Sequence, residues 1–148
     1  MQDAFSYCAE LVRTADRDRF LATLFAPAGC RDALHALYAF DIEVARVSDL
    51  AREAIPGEIR LQWWREVLQG ERGGEASASP VAAALLSALD GRRFTADSLL
   101  SLIDAHRFDL YNEPMATVAD LERYTEDTTS ALIATAAQIL GVDRKSVV

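Results

Sequence analysis

The sequence predicts an all-α protein. Apolar residues recur at spacings of three and four along nearly the whole chain, and no stretch alternates between apolar and polar residues as a half-buried strand does. Alanine, leucine, arginine and glutamate, which all favour helices, dominate the 148 residues. With 51% hydrophobic and 26% charged residues, the chain has the composition of one globular domain with a sizeable core.

In the first half of the chain, the pattern predicts helices over residues 3–13, 20–25, 31–53 and 56–68. The second of these ends before Pro27, because the residue that precedes a proline avoids the helical conformation. Pro56 lies in the first turn of the fourth helix, where its missing N–H costs least. Trp63 and Trp64 on that helix are interpreted as side chains of the core or of a helix contact.

In the second half, the pattern predicts helices over residues 80–90, 95–107 and 117–140. Residues 69–79 are rich in glycine, serine and glutamate and are predicted to form a flexible loop. Ser79 is a predicted N-cap followed by Pro80 at the first helical position. Thr117 and Asp120 have the spacing of a capping box. The total is about seven helices without an internal repeat.

Charge and hydropathy exclude several classes of protein. With 15 basic and 23 acidic residues, the net charge is −8, which disfavours non-specific binding to nucleic acid. No stretch approaches the ~18 apolar residues of a transmembrane helix, and the N-terminus lacks a basic start followed by an apolar run. We therefore expect a cytoplasmic protein, with peripheral membrane contact still open.

The cysteines and histidines form no recognisable metal-binding or redox pattern. Cys8 and Cys30 are far apart and are predicted to be reduced thiols in or near the core. They and the two histidines have spacings unrelated to those of a zinc site. His35 is interpreted as a satisfied or exposed helix residue, and His106 as part of a solvated helix end.

The last six residues, DRKSVV at 143–148, differ from the rest of the chain. Lys145 is the only lysine, whereas every other basic residue is arginine. The peptide is also what a widely used sequencing adapter encodes. Our hypothesis is that residues 1–142 are the N-terminal half of a longer domain and that residues 143–148 are translated adapter. A natural polar C-terminus is the alternative. A truncated bundle would expose apolar faces meant for absent helices.

Four segments together resemble the squalene/phytoene synthase family in order and spacing. They are DRDRFLATLFAP (16–27), RDALHALYAFDIEVARVSDLA (31–51), GEIRLQWWREVL (57–68) and residues 102–141. The resemblance covers nearly all of residues 16–141 and implies the N-terminal part of an isoprenoid-synthase-like helical bundle. It is closest to the catalytically degenerate branch of the family, which includes a mitochondrial complex I assembly factor.

The enzymes of this family join two prenyl diphosphates between two aspartate-rich helices. Acids four residues apart share one helix face and hold Mg²⁺, which helps the diphosphate to leave. In this chain the first such motif aligns with residues 45–49 and keeps only Asp49, with Ala45 and Arg46 in place of acids. The second aspartate-rich helix would lie beyond Gly141. A working Mg²⁺ cluster is therefore not expected from these residues alone.

The resemblance also implies a set of binding residues. Asp49, Asp41 and Tyr124 are the candidate diphosphate-binding residues, and Asp49 is also the candidate metal ligand. Tyr124 matches a tyrosine that the enzymes aim at diphosphate. An apolar cavity is expected to be lined by Phe20, Leu24, Tyr38 and Ala45.

Two hypotheses about function follow. In the first, the protein is non-catalytic, needs no cofactor, and binds a lipid or a protein partner, as in respiratory-complex assembly. In the second, the complete protein is a Mg²⁺-dependent prenyltransferase that condenses two prenyl diphosphates, and this chain is an inactive fragment of it. No catalytic residue can be assigned within the 148 residues in either case.

Overall fold

The computed structural model describes residues 2–91 and 93–142, and every regular element within them is helical. The α-helices are α1 (Ala4–Ala15), α2 (Arg17–Thr23), α3 (Ala28–Ala45), α4 (Val47–Leu50), α5 (Ala54–Leu68), α6 (Gly73–Ala78), α7 (Pro80–Asp90), α8 (Asp97–His106), α9 (Val118–Thr125) and α10 (Ala131–Ile139). A 3₁₀ turn, Arg107–Leu110, follows α8, and a π-helical turn, Glu126–Ser130, joins α9 to α10. The predicted all-α fold is confirmed, while the adapter hypothesis concerns residues outside the described part.

Short polar side chains fix where several helices begin. Their oxygens accept hydrogen bonds from backbone N–H groups that have no partner in the first turn. They are Asp3 for α1, Asp16 for α2, Ser79 for α7 and Thr117 for α9. The caps predicted at Ser79 and Thr117 are thus confirmed, with Pro80 at the start of α7.

The core lies where α1, α3 and α7 pack together and α5, α8 and α10 close over them. Phe40 and Trp64 are fully buried, and their rings meet edge to face with centroids 5.1 Å apart. Cys8 and Cys30 are buried free thiols, as predicted. Burial, with smaller effects from the charges of Glu43 and Asp3, raises the pKa of Cys8 to about 12, so this thiol is unreactive at neutral pH.

Residues 69–79 were predicted to be a loop, but they contain the short helix α6. Trp63 Nε1 donates a hydrogen bond to Glu75 Oε2 at 2.8 Å, and Arg72 forms ion pairs with both Glu66 and Glu75. Ala76 is buried against the core. These tertiary contacts outweigh the low helix propensity of two consecutive glycines.

The long helix predicted over residues 31–53 breaks at Arg46. It continues as the single turn α4, in which only Val47 is buried, and Ala51 and Glu53 are then extended. Polar residues dominate this stretch, so no apolar stripe holds a longer helix against the core. The break lets the chain turn so that α5 packs on α8.

The helix predicted over residues 117–140 is interrupted by the π-helical turn. Within it, Thr128 Oγ1 donates a hydrogen bond to the carbonyl oxygen of Tyr124 at 2.7 Å. No residue of α9 is buried, whereas α10 buries Leu132, Thr135 and Ile139. The turn therefore separates a surface helix from a core helix. Turns of this kind often lie at functional sites.

No helix in the described part of the chain is both long and apolar enough to cross a membrane.

Candidate functional site

Asp41, one of the predicted diphosphate-binding residues, is already paired within the protein. Its Oδ2 lies 2.9 Å from Arg19 Nη1, and Arg19 Nε lies 3.4 Å from Asp16 Oδ2. The same guanidinium stands over the Tyr38 ring, 5.2 Å from the centroid. Because α2 lies against α3, the arginine is held between two carboxylates and an aromatic face.

Tyr124, the second predicted residue, takes part in a hydrogen-bonded network that the sequence did not reveal. Its hydroxyl donates to the Asp109 carboxylate, with both oxygens 2.9 Å away. His106 Nδ1 lies 2.8 Å from Asp109 Oδ2. The 3₁₀ turn after α8 brings Asp109 back beside His106, three residues earlier. We call these three side chains the tyrosine–aspartate–histidine network.

The electrostatics of this network resist ionisation of the tyrosine. Burial, the hydrogen bond to Asp109 and the negative charges of Asp109 and Asp41 together raise the pKa of Tyr124 far above its usual value. The hydroxyl therefore stays protonated and donates.

Asp49, the third predicted residue, is exposed on α4. Ala45 and Arg46, the other residues singled out in the predicted motif, are exposed as well. Among the described residues, no group of three or more His, Cys, Asp or Glu side chains is placed to hold a metal ion. Asp41 and Asp109 already accept hydrogen bonds from protein donors. This donor set does not fit Mg²⁺, which needs several free oxygens in near-octahedral geometry.

The four predicted cavity-lining residues have varied surroundings. Phe20 is half-buried and stacked on His35, with ring centroids 5.9 Å apart. Tyr38 is half-buried under Arg19, and Leu24 is 47% exposed. Ala45 is exposed. That they line a shared apolar cavity stays a prediction.

Both histidine interpretations are corrected by the structure. His35 is buried, its Nε2 has no hydrogen-bond partner among the described residues, and burial lowers its pKa. His106 is also buried and belongs to the network rather than to a solvated helix end. The sequence contained one signal for the network, an acid three residues after a histidine at the end of a helix.

A groove of about 450 Å³ lies on another side of α3, between α1, α4 and α5. Its lining residues are Tyr7, Leu11, Glu43, Arg46, Val47, Leu50, Ala51, Pro56, Gly57 and Arg60. Glu43 lies 3.6 Å from Arg60, whose guanidinium also stands 4.3 Å from the centroid of Trp63. None of the predicted site residues lines this groove, which we call the arginine groove.

Burial determines the hydrogen bonding and the pKa of Glu43, the acid in the arginine groove. The Oε2 atom of Glu43 is buried and accepts no hydrogen bond within the described part of the chain. Burial raises the pKa of Glu43, although the charges of Arg60 and Arg46 oppose the shift. The same oxygen lies 3.6 Å from Arg60 Nη2, an ion pair too long to be a hydrogen bond.

A second, more acidic pocket of about 370 Å³ adjoins the network. Tyr124 contributes to its wall, together with Phe108, Met115, Glu113 and Asp127. The Phe108 and Tyr124 ring centroids are 6.2 Å apart. Its lining contains four acids, Asp104, Glu113, Asp120 and Asp127, and one arginine, Arg123.

Comparison with known proteins gives a consistent set of relatives. The family model for squalene/phytoene synthase matches residues 12–148. NADH dehydrogenase (ubiquinone) complex I, assembly factor 6 of Rattus norvegicus is 34% identical over 140 residues, covering 95% of this chain and 42% of its own length. The Homo sapiens protein of that name is 32% identical over 136 residues, covering 92% and 41%. The Drosophila melanogaster homolog is 28% identical over 148 residues, covering 92% and 42%. The chain therefore spans about two fifths of the length of these curated relatives.

Proposed function

Because this chain belongs to the squalene/phytoene synthase family, and because its relatives include proteins named as complex I assembly factors, we propose that it is a non-catalytic member of the family. It acts by binding another protein during assembly of a respiratory NADH dehydrogenase complex. The fold serves as a scaffold in this proposal, and no cofactor is required.

The observation that carries the proposal is the state of the acids in the would-be active site. Asp41 is held by Arg19, and Asp109 is shared by Tyr124 and His106. A diphosphate enzyme needs free carboxylates to collect Mg²⁺, since the metal must neutralise the leaving group. Here the acids stabilise the bundle instead, and the first motif keeps Asp49 alone.

A thermal melt tests the absence of catalysis. The protein is heated with saturating Mg²⁺ and farnesyl diphosphate, and separately with each alone. A ligand that binds the native state at a hundred times its Kd adds about 2.7 kcal/mol of stability, which raises Tm by several degrees. We expect no Mg²⁺-dependent rise. A squalene synthase measured in parallel shows that the ligand is active, and a rise in this protein would favour the prenyltransferase hypothesis.

Complementation tests the assembly role. Deletion of the gene in its own organism should reduce the amount of assembled NADH dehydrogenase complex on native gels, and the wild-type gene should restore it. Asp49→Asn should restore it equally well, because Asp49 is exposed and lacks companion acids. Failure of Asp49→Asn with normal protein levels, or an unchanged complex in the deletion strain, would contradict the proposal.

A further inference from the structure

We propose that the exposed side of α10 is covered, in the full product of the gene, by a further helix of the same polypeptide, which follows the described residues and runs back along α10. The surface consists of Ile133, Ala134, Ala137 and Leu140, and we call it the outer face of α10. Both the surface and its occupant are independent of the proposed function.

The composition of α10 is typical of a helix that is enclosed on all sides. Seven of its nine residues are apolar, the other two are Thr135 and Gln138, and none is charged. A helix that is apolar all round belongs in the interior of a protein, whereas a surface helix has a polar face. Helix α9, by contrast, has three charged residues among its eight. Helix α10 therefore has no side that is suited to water.

Only one side of α10 is buried in the described structure. The residues that face the core are Leu132, Thr135, Ala136 and Ile139. On the other side, the side chain of Ile133 is 62% exposed and that of Leu140 is 45% exposed. Ile133, Ala137 and Leu140 have the spacing i, i+4, i+7, which places them on one helix face. The outer face is thus an apolar stripe of the kind that a second helix covers.

The end of α10 determines where the chain leaves this helix. Gly141 has a φ of +87°, and its N–H donates a hydrogen bond to the carbonyl oxygen of Gln138 at 3.0 Å. The N–H of Val142 donates to the carbonyl oxygen of Ala137 at 2.9 Å. These two bonds form a Schellman motif, in which a left-handed residue ends the helix and turns the chain away from its axis. The polypeptide therefore leaves α10 next to Leu140, at one end of the outer face.

The same polypeptide is the occupant that these features favour. The family model matches the chain up to residue 148, and more than half of the length of the Rattus norvegicus and Homo sapiens relatives lies outside the matched region. Two helices joined by a short loop commonly pack side by side as an antiparallel pair. The short connection also gives the second helix a high effective concentration at the outer face, which a separate protein does not have.

Photocrosslinking of the full gene product tests the inference. A photoreactive amino acid replaces Ile133, and in a matched control it replaces Glu122, an exposed residue of α9. We expect position 133 to give a cross-link within one chain, to a residue beyond 142, which mass spectrometry of the monomeric product locates. The cross-linked residue should lie in a stretch with apolar residues three and four apart. Position 122 should not give this cross-link.

Alanine substitution in the full gene product gives a second measurement, whose sign differs between a covered and an open face. Alanine favours a helix more than isoleucine does, so on an open face Ile133→Ala should leave Tm unchanged or raise it. On a covered face the lost contacts outweigh this preference, and we expect Tm to fall by about 4 °C or more. Gln138→Ala, at an exposed polar position of the same helix, is the control and should not lower Tm.

The outcomes separate this inference from the proposed function. A cross-link from position 133 to a second copy of the chain or to a lipid, the absence of any cross-link, or an unchanged Tm for Ile133→Ala would overturn the inference. A cross-link to a subunit of the NADH dehydrogenase complex would overturn it as well, while supporting the assembly role. A cross-link within the chain, together with normal assembly of the complex in the deletion strain, would confirm the covering helix and contradict the assembly role.

Discussion

The tyrosine–aspartate–histidine network and the arginine groove differ in how far their polar groups are paired with one another. In the network, Asp109 accepts hydrogen bonds from both neighbours, and Asp41 on α3 is likewise paired, with Arg19. In the groove, the buried Oε2 of Glu43 accepts no hydrogen bond from the described residues, although Arg60 lies 3.6 Å away, and Arg46 forms no ion pair with them. A site whose groups satisfy one another supports the fold. In the groove, the exposed Arg46 is the charged group that stays available to contact another molecule.

The largest expected effect comes from breaking the network. Asp109→Leu removes the acceptor of two side chains, so the Tyr124 hydroxyl and the His106 ring are left without a partner. Each unsatisfied group costs about 1–3 kcal/mol, and we expect a loss of about 3 kcal/mol in the free energy of unfolding. Urea denaturation measures it. Asp109→Asn, which keeps an acceptor, should lose clearly less, and equal losses would show that the network is not what stabilises this region.

A substitution in the arginine groove should raise the free energy of unfolding rather than lower it. Glu43→Gln removes a charge that burial disfavours and supplies an amide group of its own. The weak ion pair with Arg60 at 3.6 Å is lost, so the net gain is modest, about 1 kcal/mol, or a rise in Tm of about 2–4 °C. Calorimetry at pH 7 tests this expectation. A fall in Tm would mean that Glu43 stabilises the fold after all, and the contrast between the two regions would disappear.

The smallest expected effect is on the pH dependence of stability and comes from His35. Its Nε2 is buried without a hydrogen-bond partner among the described residues, and it belongs to neither the network nor the groove. Burial lowers its pKa below the unfolded value of 6.5, so the unfolded chain binds the proton first as the pH falls. Stability should therefore be complete above pH 6.5 and decline below it, with a slope of at most about 1.4 kcal/mol per pH unit. Stability curves at pH 7.0, 6.0 and 5.5 measure this decline. His35→Phe, which preserves the stacking on Phe20, should flatten it, and an unchanged slope would assign the pH dependence to other groups.

Local signals in the sequence were enough for much of the fold. The predictions of the caps at Ser79 and Thr117 and of the buried thiols needed only the neighbouring residues or the composition. Helix α6 was missed because its stability comes from Trp63 and Arg72, which lie before it in the chain. The pattern of residues along the sequence does not show contacts between side chains of different elements.

The candidate site was harder to predict for the same reason. A family resemblance identified Asp41 and Tyr124 by alignment, but their partners Arg19 and Asp109 became visible only when helices α2, α3, α8 and α9 were placed in space. The arginine groove draws residues from four helices and has no linear motif. Sequence can therefore indicate which residues of a family motif are missing more readily than which distant residues meet in space.

The π-helical turn between α9 and α10 constrains how this gene can change. Successive residues of an α-helix are rotated by about 100°. Loss of a single codon within residues 126–130 that converted the turn to regular α-helix would rotate α10 by that angle, carrying Leu132, Ala136 and Ile139 off the core. A one-residue deletion here would thus be far more damaging than most substitutions on the exposed face of α9, where no side chain is buried. Among homologous genes, insertions and deletions should be depleted at this turn even where its amino acids vary freely.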